Sequence, residues 1–192
     1  IQKFCTFSIY DRDFLKVLEL FCGMGGWSKP FAEAGHECTG IDILPLNYPY
    51  KFIKADLNDW IPDQEYDIVL ASPPCTEFSI AKKVSNSQED ERVGLDLVYR
   101  TFYLINQLIK PKYFVIENVK GLGEFLPPPT DIVRYGKGKC HKEAWLWSNI
   151  GKLGMLDSQI SYRTMDFSGG DPRRGLIPYA LSYAVYKKII SL

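Results

Sequence analysis

Long hydrophobic runs are absent from this 192-residue chain, and with them any segment that reads as a transmembrane helix. The first residues lack the charged start and apolar stretch of a signal peptide. Paired cysteines are absent too. Cys5, Cys22, Cys38, Cys75 and Cys140 are odd in number and never fall in a CxxC spacing. That argues against a disulfide framework and a zinc site, and for free thiols in a reducing compartment. There is no excess of charge of either sign, the formal net charge being zero. A strongly basic nucleic-acid binder is thereby disfavoured, although charge concentrated locally would still serve phosphate contacts. Internal repeats and low-complexity segments are missing as well. What remains is an ordinary globular composition, 46% hydrophobic, in a chain long enough for one domain with a substantial core.

Short apolar runs alternate with helical stretches, the pattern of a parallel sheet flanked by helices. Residues 16–20 read as the first strand, and a glycine-rich turn and a helix over 27–33 follow, stopped by Gly35. Strands are predicted over 38–42, 51–54, 67–71 and 113–116, the last preceded by Pro111. Apolar residues at Val98, Phe102, Ile105 and Ile109 have helical spacing, which predicts a helix over 94–109 with one buried face. Pro127, Pro128 and Pro129 form an extended, rigid connector. Residues 144–147 and 159–162 read as two late strands, and 178–190 as a terminal helix with proline in its first turn.

Three segments carry chemistry. The first is Phe21-Cys22-Gly23-Met24-Gly25-Gly26, a strand–turn–helix element. Its glycines let backbone approach a cofactor, and the helix start aims amides at a carboxylate or phosphate. The spacing is neither that of a dinucleotide fingerprint nor that of a Walker loop. Asp42 ends the second strand, where such folds bond ribose hydroxyls, and Asp56 follows the third, where a carboxylate would accept from an adenine amino group. With their neighbours Ile43 and Leu57 they outline a nucleoside site. The alternative is that these residues are tight turns and caps. Trp27 is a candidate for either the cofactor or the core.

The second segment is Ser72-Pro73-Pro74-Cys75-Thr76-Glu77-Phe78-Ser79, at the carboxyl end of a buried strand. Open α/β sheets place their chemistry there, and a thiolate is favoured where a helix or a set of amides follows. Cys75 is a candidate nucleophile. A buried small hydrophobe is the bland reading of a free cysteine, but the polar flank Thr76-Glu77 is unlike a core. The third segment is Glu117-Asn118-Val119, a carboxylate at the edge of another central strand. In a doubly wound sheet the two edges converge.

Taken together the three segments resemble the cytosine-5 methyltransferases. Leu18-Glu19-Leu20-Phe21-Cys22-Gly23-Met24-Gly25-Gly26 is similar to the family's first motif, Pro74-Cys75-Thr76-Glu77-Phe78-Ser79 to its Pro-Cys-x-x-Phe-Ser motif, and Glu117-Asn118-Val119 to its Glu-Asn-Val motif. They occur in the family's order across residues 16–122, with Ser72 where the family usually has glycine. The resemblance implies a doubly wound, mostly parallel α/β fold, Rossmann-like, with helices on both faces. It implies S-adenosyl-L-methionine as cofactor, leaving as S-adenosyl-L-homocysteine, and double-stranded DNA as substrate. Cys75 would add to carbon 6 of a flipped cytosine, Glu117 would act at ring N3, Asn118 would position the loop and Pro74 would stiffen it. Phe21 would pack on the cofactor beside Gly23, Met24, Gly25 and Gly26. No metal is implied, and the setting would be cytoplasmic, in a prokaryotic or viral context.

The second half departs from the family. Its Gln-x-Arg-x-Arg motif is not recognisable. The nearest stretch, residues 134–142, has four Lys or Arg in nine positions and suits a flexible phosphate contact or a solvated loop equally. Residues 171–175 are a second basic turn of the same kind. Cys140-His141 has no neighbours with metal-ligand spacing. Residues 176–182 resemble the final motif of short, phage-like members, which would bring Ser182 nearest the methionine end of the cofactor. The resemblance thus implies a single catalytic domain over 1–192, with a target-recognition domain absent or vestigial at about 148–175, and leaves room for a restriction or recognition partner. Two other readings stand beside it. One is a tRNA cytosine-5 methyltransferase, although that branch's Cys-Phe-Thr segment is missing. The other is an inactive methyltransferase-like regulatory or binding module. An amino-methyltransferase would carry an Asn- or Asp-Pro-Pro-aromatic run where Cys75 stands.

Overall fold

Strand β1 (Lys16–Leu20) carries Val17, Leu18 and Leu20 with no exposed surface, so it must be covered on both faces. The computed structural model describes residues 14–75, 78, 88–137, 140–154 and 176–192. In it β1 lies between β2 (Glu37–Asp42) and β4 (Ile68–Ala71), parallel to both. Strand β3 (Lys51–Lys54) extends the sheet beyond β2, and β5 (Tyr113–Asn118) extends it beyond β4, again in parallel. The chain then reverses. Strand β7 (Cys140–Ser148) runs antiparallel to β5, and β6 (Asp131–Lys137) runs antiparallel to β7 at the edge. Among the described residues the order is β3-β2-β1-β4-β5-β7-β6, a mostly parallel sheet with a terminal antiparallel hairpin.

Successive side chains of a strand point to opposite faces, and the core divides accordingly. Val17, Ile68, Leu70 and Val115 face one layer, with helices α1 (Lys29–Glu33) and α3 (Tyr179–Ile190) over them through Phe31, Leu181, Val185 and Ile189. Leu18, Leu20, Val69, Ala71 and Ile116 face the other layer, covered by Val98 of helix α2 (Gln88–Tyr103) and by Leu104, Ile105 and Ile109. The fold is the doubly wound α/β class that the strand pattern predicts.

Differences in detail have local causes. The helix predicted over 27–33 begins at Lys29 with Pro30 in its first turn, because residues before it belong to the glycine turn. Gly35, at φ 92°, ends it as predicted. The helix predicted over 94–109 starts earlier and changes pitch at Leu104, where a π-helical segment runs to Ile109. Lys110 closes that segment, donating its amide to Ile105 five residues back at 2.9 Å and adopting a left-handed φ of 51°. A residue before proline is disfavoured in the right-handed helical region, and Pro111 follows. Strand β6 was not anticipated, and residues 144–147 prove to be part of the longer β7. Residues 134–137 and 140–142 of the basic stretch are accordingly the end of a strand pair, and 138–139 lie outside the described residues. The strand predicted at 159–162, the basic turn at 171–175 and most of the stretch 148–175 lie outside the described residues.

The α1–α3 layer hangs on Phe31. It is fully buried and meets Tyr186 edge-to-face, with ring centroids 5.2 Å apart. Phe31→Ala is expected to cost about 3–5 kcal/mol through lost burial and the cavity left behind, measured as a shift in the urea unfolding midpoint at constant slope.

Candidate active site

Parallel strands in register deliver their carboxyl ends to one edge, and the three motif segments meet there. β1 leaves the sheet through a turn in which Phe21, Gly23 and Gly25 all have positive φ, 56°, 49° and 82°. Glycine accepts that conformation without penalty, whereas Phe21 is strained in it. Cys22 donates its amide to Ile41 at 3.0 Å, and Gly25 donates to Cys22 at 2.8 Å. Gly23 donates to Asp42 Oδ2 at 3.0 Å, while Asp42 Oδ1 accepts from Leu44 at 3.0 Å. Asp42 therefore fastens the glycine turn to the end of β2. Where a side chain would sit at Gly23 no described neighbour lies within 4 Å, so the space beside it is open. Gly26 has the opposite constraint, since a Cβ there would come within 2.8 Å of the backbone of Ile177. The segment leading into α3 is thereby packed on the turn.

The other predicted nucleoside residues differ in exposure and partners. Ile43 and Met24 are exposed, and Phe21 is partly buried against the α2 layer. Asp56 is exposed and accepts from the amide of Asn58 at 2.9 Å, whereas Leu57 is buried. Arg100 of α2 holds that turn by donating to the carbonyls of Leu57 and Trp60, both at 2.9 Å. Ser182 is buried in α3 and donates its hydroxyl to the Tyr179 carbonyl at 3.0 Å.

At the neighbouring edge, Ala71 of β4 and Ile116 of β5 are register partners. Chain leaving β4 passes Ser72 and Pro73 to the exposed Pro74 and Cys75. The last two residues of β5 are Glu117, half-buried, and Asn118, fully buried. Asn118 joins the two loops, because its side-chain amide donates to the Pro73 carbonyl at 3.0 Å. Its Oδ1 accepts from the Val119 amide at 2.8 Å, which fixes the rotamer. Beyond Cys75, Phe78 is buried and donates its amide to the Cys75 carbonyl at 3.1 Å. Phe78 lies so tightly on Gly121 that a Cβ there would fall 2.0 Å from the Phe78 carbonyl oxygen. The loop bearing Cys75 is thus pinned before and after the thiol. Cys22, within the glycine turn, and Cys38, on β2, are in contrast buried. Burial pushes the Cys38 thiol up to about 12, and the Cys22 thiol higher still.

Residues 15–125, which span the glycine turn, the Cys75 loop and the Glu117-Asn118 edge, match the family model of C-5 cytosine-specific DNA methylases. The chain belongs to that family. It is 30% identical over 125 residues to the type II methyltransferase M1.HphI of Haemophilus parahaemolyticus, an alignment covering 56% of this chain and 33% of that protein. Identity to the type II methyltransferase M.HindV of Haemophilus influenzae is 34% over 121 residues, 55% of this chain and 38% of the relative. A probable DNA (cytosine-5)-methyltransferase of Frog virus 3 is 28% identical over 153 residues, 71% of each chain. The alignments thus span little more than a third of the bacterial relatives and about two thirds of the viral one.

In this chain, sequence reasoning missed a buried acid beneath the glycine turn. Glu19 is 2% exposed in the middle of β1. Its Oε1 accepts from the Trp27 amide at 3.2 Å, and its Oε2 from the Ser28 amide at 2.9 Å and the Ser28 hydroxyl at 2.5 Å. The amides at the start of α1, expected to face a ligand's carboxylate, are in part given to the protein's own. Trp27 itself is core, 1% exposed, and its indole donates to Ser72 Oγ at 2.9 Å. Ser72, in the place of the family's glycine, therefore links the two motifs. A signal was available, since a charged residue inside Val17-Leu18-Glu19-Leu20 needs a partner if both faces are buried. No cluster of metal-ligating side chains occurs among the described residues. No described helix is long and apolar enough to cross a membrane.

Burial raises the Glu19 carboxyl to about 7 from an ordinary 4.5, with the Asp42 charge adding to the shift and the bonds from Ser28 and Trp27 opposing it. From about pH 4.5 to 7 the folded chain keeps a proton that the unfolded chain has released, so this group's contribution is fully present in acid and lost as pH rises through 7. At about 1.4 kcal/mol per unit the loss is roughly 3 kcal/mol. Glu19→Gln is expected to flatten this part of the profile, so that its stability changes between pH 5 and pH 8, read by urea unfolding, lack the component that wild type shows.

Proposed function

We propose that this chain is a DNA cytosine-5 methyltransferase, moving the methyl group of S-adenosyl-L-methionine to carbon 5 of a cytosine flipped out of double-stranded DNA. The observation that carries this reading is the hydrogen bond from Asn118 to the Pro73 carbonyl, which ties the exposed Cys75 loop to the Glu117 edge at 3.0 Å. Nucleophile and acid then act on one ring from two rigid strand ends. The turn also fits the cofactor in chemical terms. Gly23 leaves the space beside it open, Asp42 keeps lone pairs for ribose hydroxyls, and Asp56 is exposed where the adenine would lie. Phe21, Met24, Gly25, Gly26, Ile43 and Leu57 would line it, and Ser182 would approach from α3.

The chain's own groups account for activation of the base. The Cys75 thiolate adds through sulfur to carbon 6, forming a C–S bond and shifting the C5–C6 π pair toward carbon 5. Glu117 donates a hydrogen bond or proton at N3, offsetting the charge that develops there. S-adenosylmethionine supplies, when bound, the electrophilic methyl group that carbon 5 takes. Loss of the carbon-5 proton to a base returns its electron pair to the C5–C6 bond and expels Cys75 as thiolate. Asn118 and Pro74 keep the loop from yielding as sulfur attaches and leaves. The base must be flipped, because neither ring face is open within a stacked duplex.

Transfer of labelled methyl groups to unmethylated DNA and, in parallel, to unmodified tRNA tests the proposal. Wild type is expected to label DNA, and Cys75→Ala to lose at least about a thousandfold in rate while still binding S-adenosylhomocysteine. Undiminished labelling by the variant would remove the covalent step, and label in tRNA alone would reassign the substrate.

A further inference from the structure

We infer that Tyr48 is a positioning residue for the cofactor, its hydroxyl latching the β2–β3 connector onto the start of α1 and holding the glycine turn in its binding shape. This rests on the proposal that the turn receives S-adenosylmethionine. Adjacent parallel strands are ordinarily joined by a crossover of about a dozen residues or more, often a helix. Here β2 ends at Asp42 and β3 begins at Lys51, so residues 43–50 make the crossing without one. Such a connector has little of its own to hold it. Asn47 is in a left-handed conformation, at φ 58°, and Ile43 and Leu44 are each 56% exposed. Tyr48 alone is buried among residues 43–50.

That single anchor is bonded to the turn. The Tyr48 hydroxyl lies 2.6 Å from Ser28 Oγ, and Ser28 gives its own proton to Glu19. Tyr48 is then the donor in a chain running from tyrosine to serine to carboxylate. Its ring fills the space beside two glycines, since a Cβ at Gly25 would come within 3.2 Å of it and one at Gly40 within 2.5 Å. Tyr50 packs across it edge-to-face at 5.4 Å. The connector fixed in this way starts at Asp42 and Ile43, the residues assigned to the ribose side. Loosening Tyr48 would release that wall of the site while leaving both core layers filled.

The test is the dissociation constant for S-adenosylhomocysteine, by calorimetry, with hydrogen exchange at residues 43–50. Tyr48→Phe keeps the ring and removes the bond. Tyr66→Phe is the control, because Tyr66 is also buried but its hydroxyl bonds to Asp63 and Gln64 on the other face of the sheet. Tyr48→Phe is expected to weaken binding roughly five- to tenfold and speed exchange in the connector, with Tyr66→Phe unchanged on both counts. Ser28→Ala breaks the bond from the other side and carries the test if Tyr48→Phe fails to fold. Combining the two should cost no more affinity than the larger single loss. Wild-type affinity in a folded Tyr48→Phe would overturn the latch. If wild type itself binds no S-adenosylhomocysteine, the cofactor assignment fails instead, and the latch is judged on exchange alone. Faster connector exchange than in Tyr66→Phe would uphold it, and equal exchange would reject it.

Discussion

Everything at the carboxyl edge of the sheet depends on the parallel register of β1, β4 and β5. Leu20, Ala71 and Ile116 sit at corresponding heights across the sheet, so the three chains emerge side by side. Burial on both faces enforces that register, because a slip of one residue would exchange the contents of two different helical layers. The glycine turn, the cysteine loop and the Glu-Asn edge are thus brought together by hydrophobic packing far below them. The polar bonds at the edge then refine a meeting that the core has already arranged.

Those refining bonds are of two kinds. Some tie one loop to another, as Asn118 does with Pro73 and Trp27 with Ser72. Others satisfy a charge under the floor, as Ser28 and Trp27 do for Glu19. Burying that carboxyl opposes its ionisation and so costs stability at neutral pH. In return the start of α1, the end of β1 and the connector after β2 become one polar unit beneath the glycine turn.

The parts legible in the sequence are those whose signal is local. β1, β2, β3 and β4 are legible within a residue or so because each is a short run bounded by turn residues, although only β4 is apolar and buried throughout. Cys75, Glu117 and Asn118 stood out because each follows such a run directly. β6 was illegible because an edge strand with the composition of Asp131–Lys137 shares its residue types with loops. The change of pitch at Leu104 left no trace, since apolar spacing through Ile105 and Ile109 is compatible with an ordinary helix. The unit of Glu19, Ser28 and Tyr48 was hidden for a different reason. Its members are 9 and 20 residues apart and belong to three elements, so only the folded chain reveals them as neighbours.

The contact between Phe78 and Gly121 also bears on how the site can be altered. The residue three places after the cysteine and the residue three places after Asn118 occupy one another's space. Neither loop is a module that can be exchanged by itself. Because the close contact is with backbone, position 121 has to remain glycine whatever side chain stands at position 78, and a cysteine loop grafted from a relative would have to follow the same backbone path against it. The surroundings of Cys75 are a pair of interlocked segments, distant along the chain and inseparable in space.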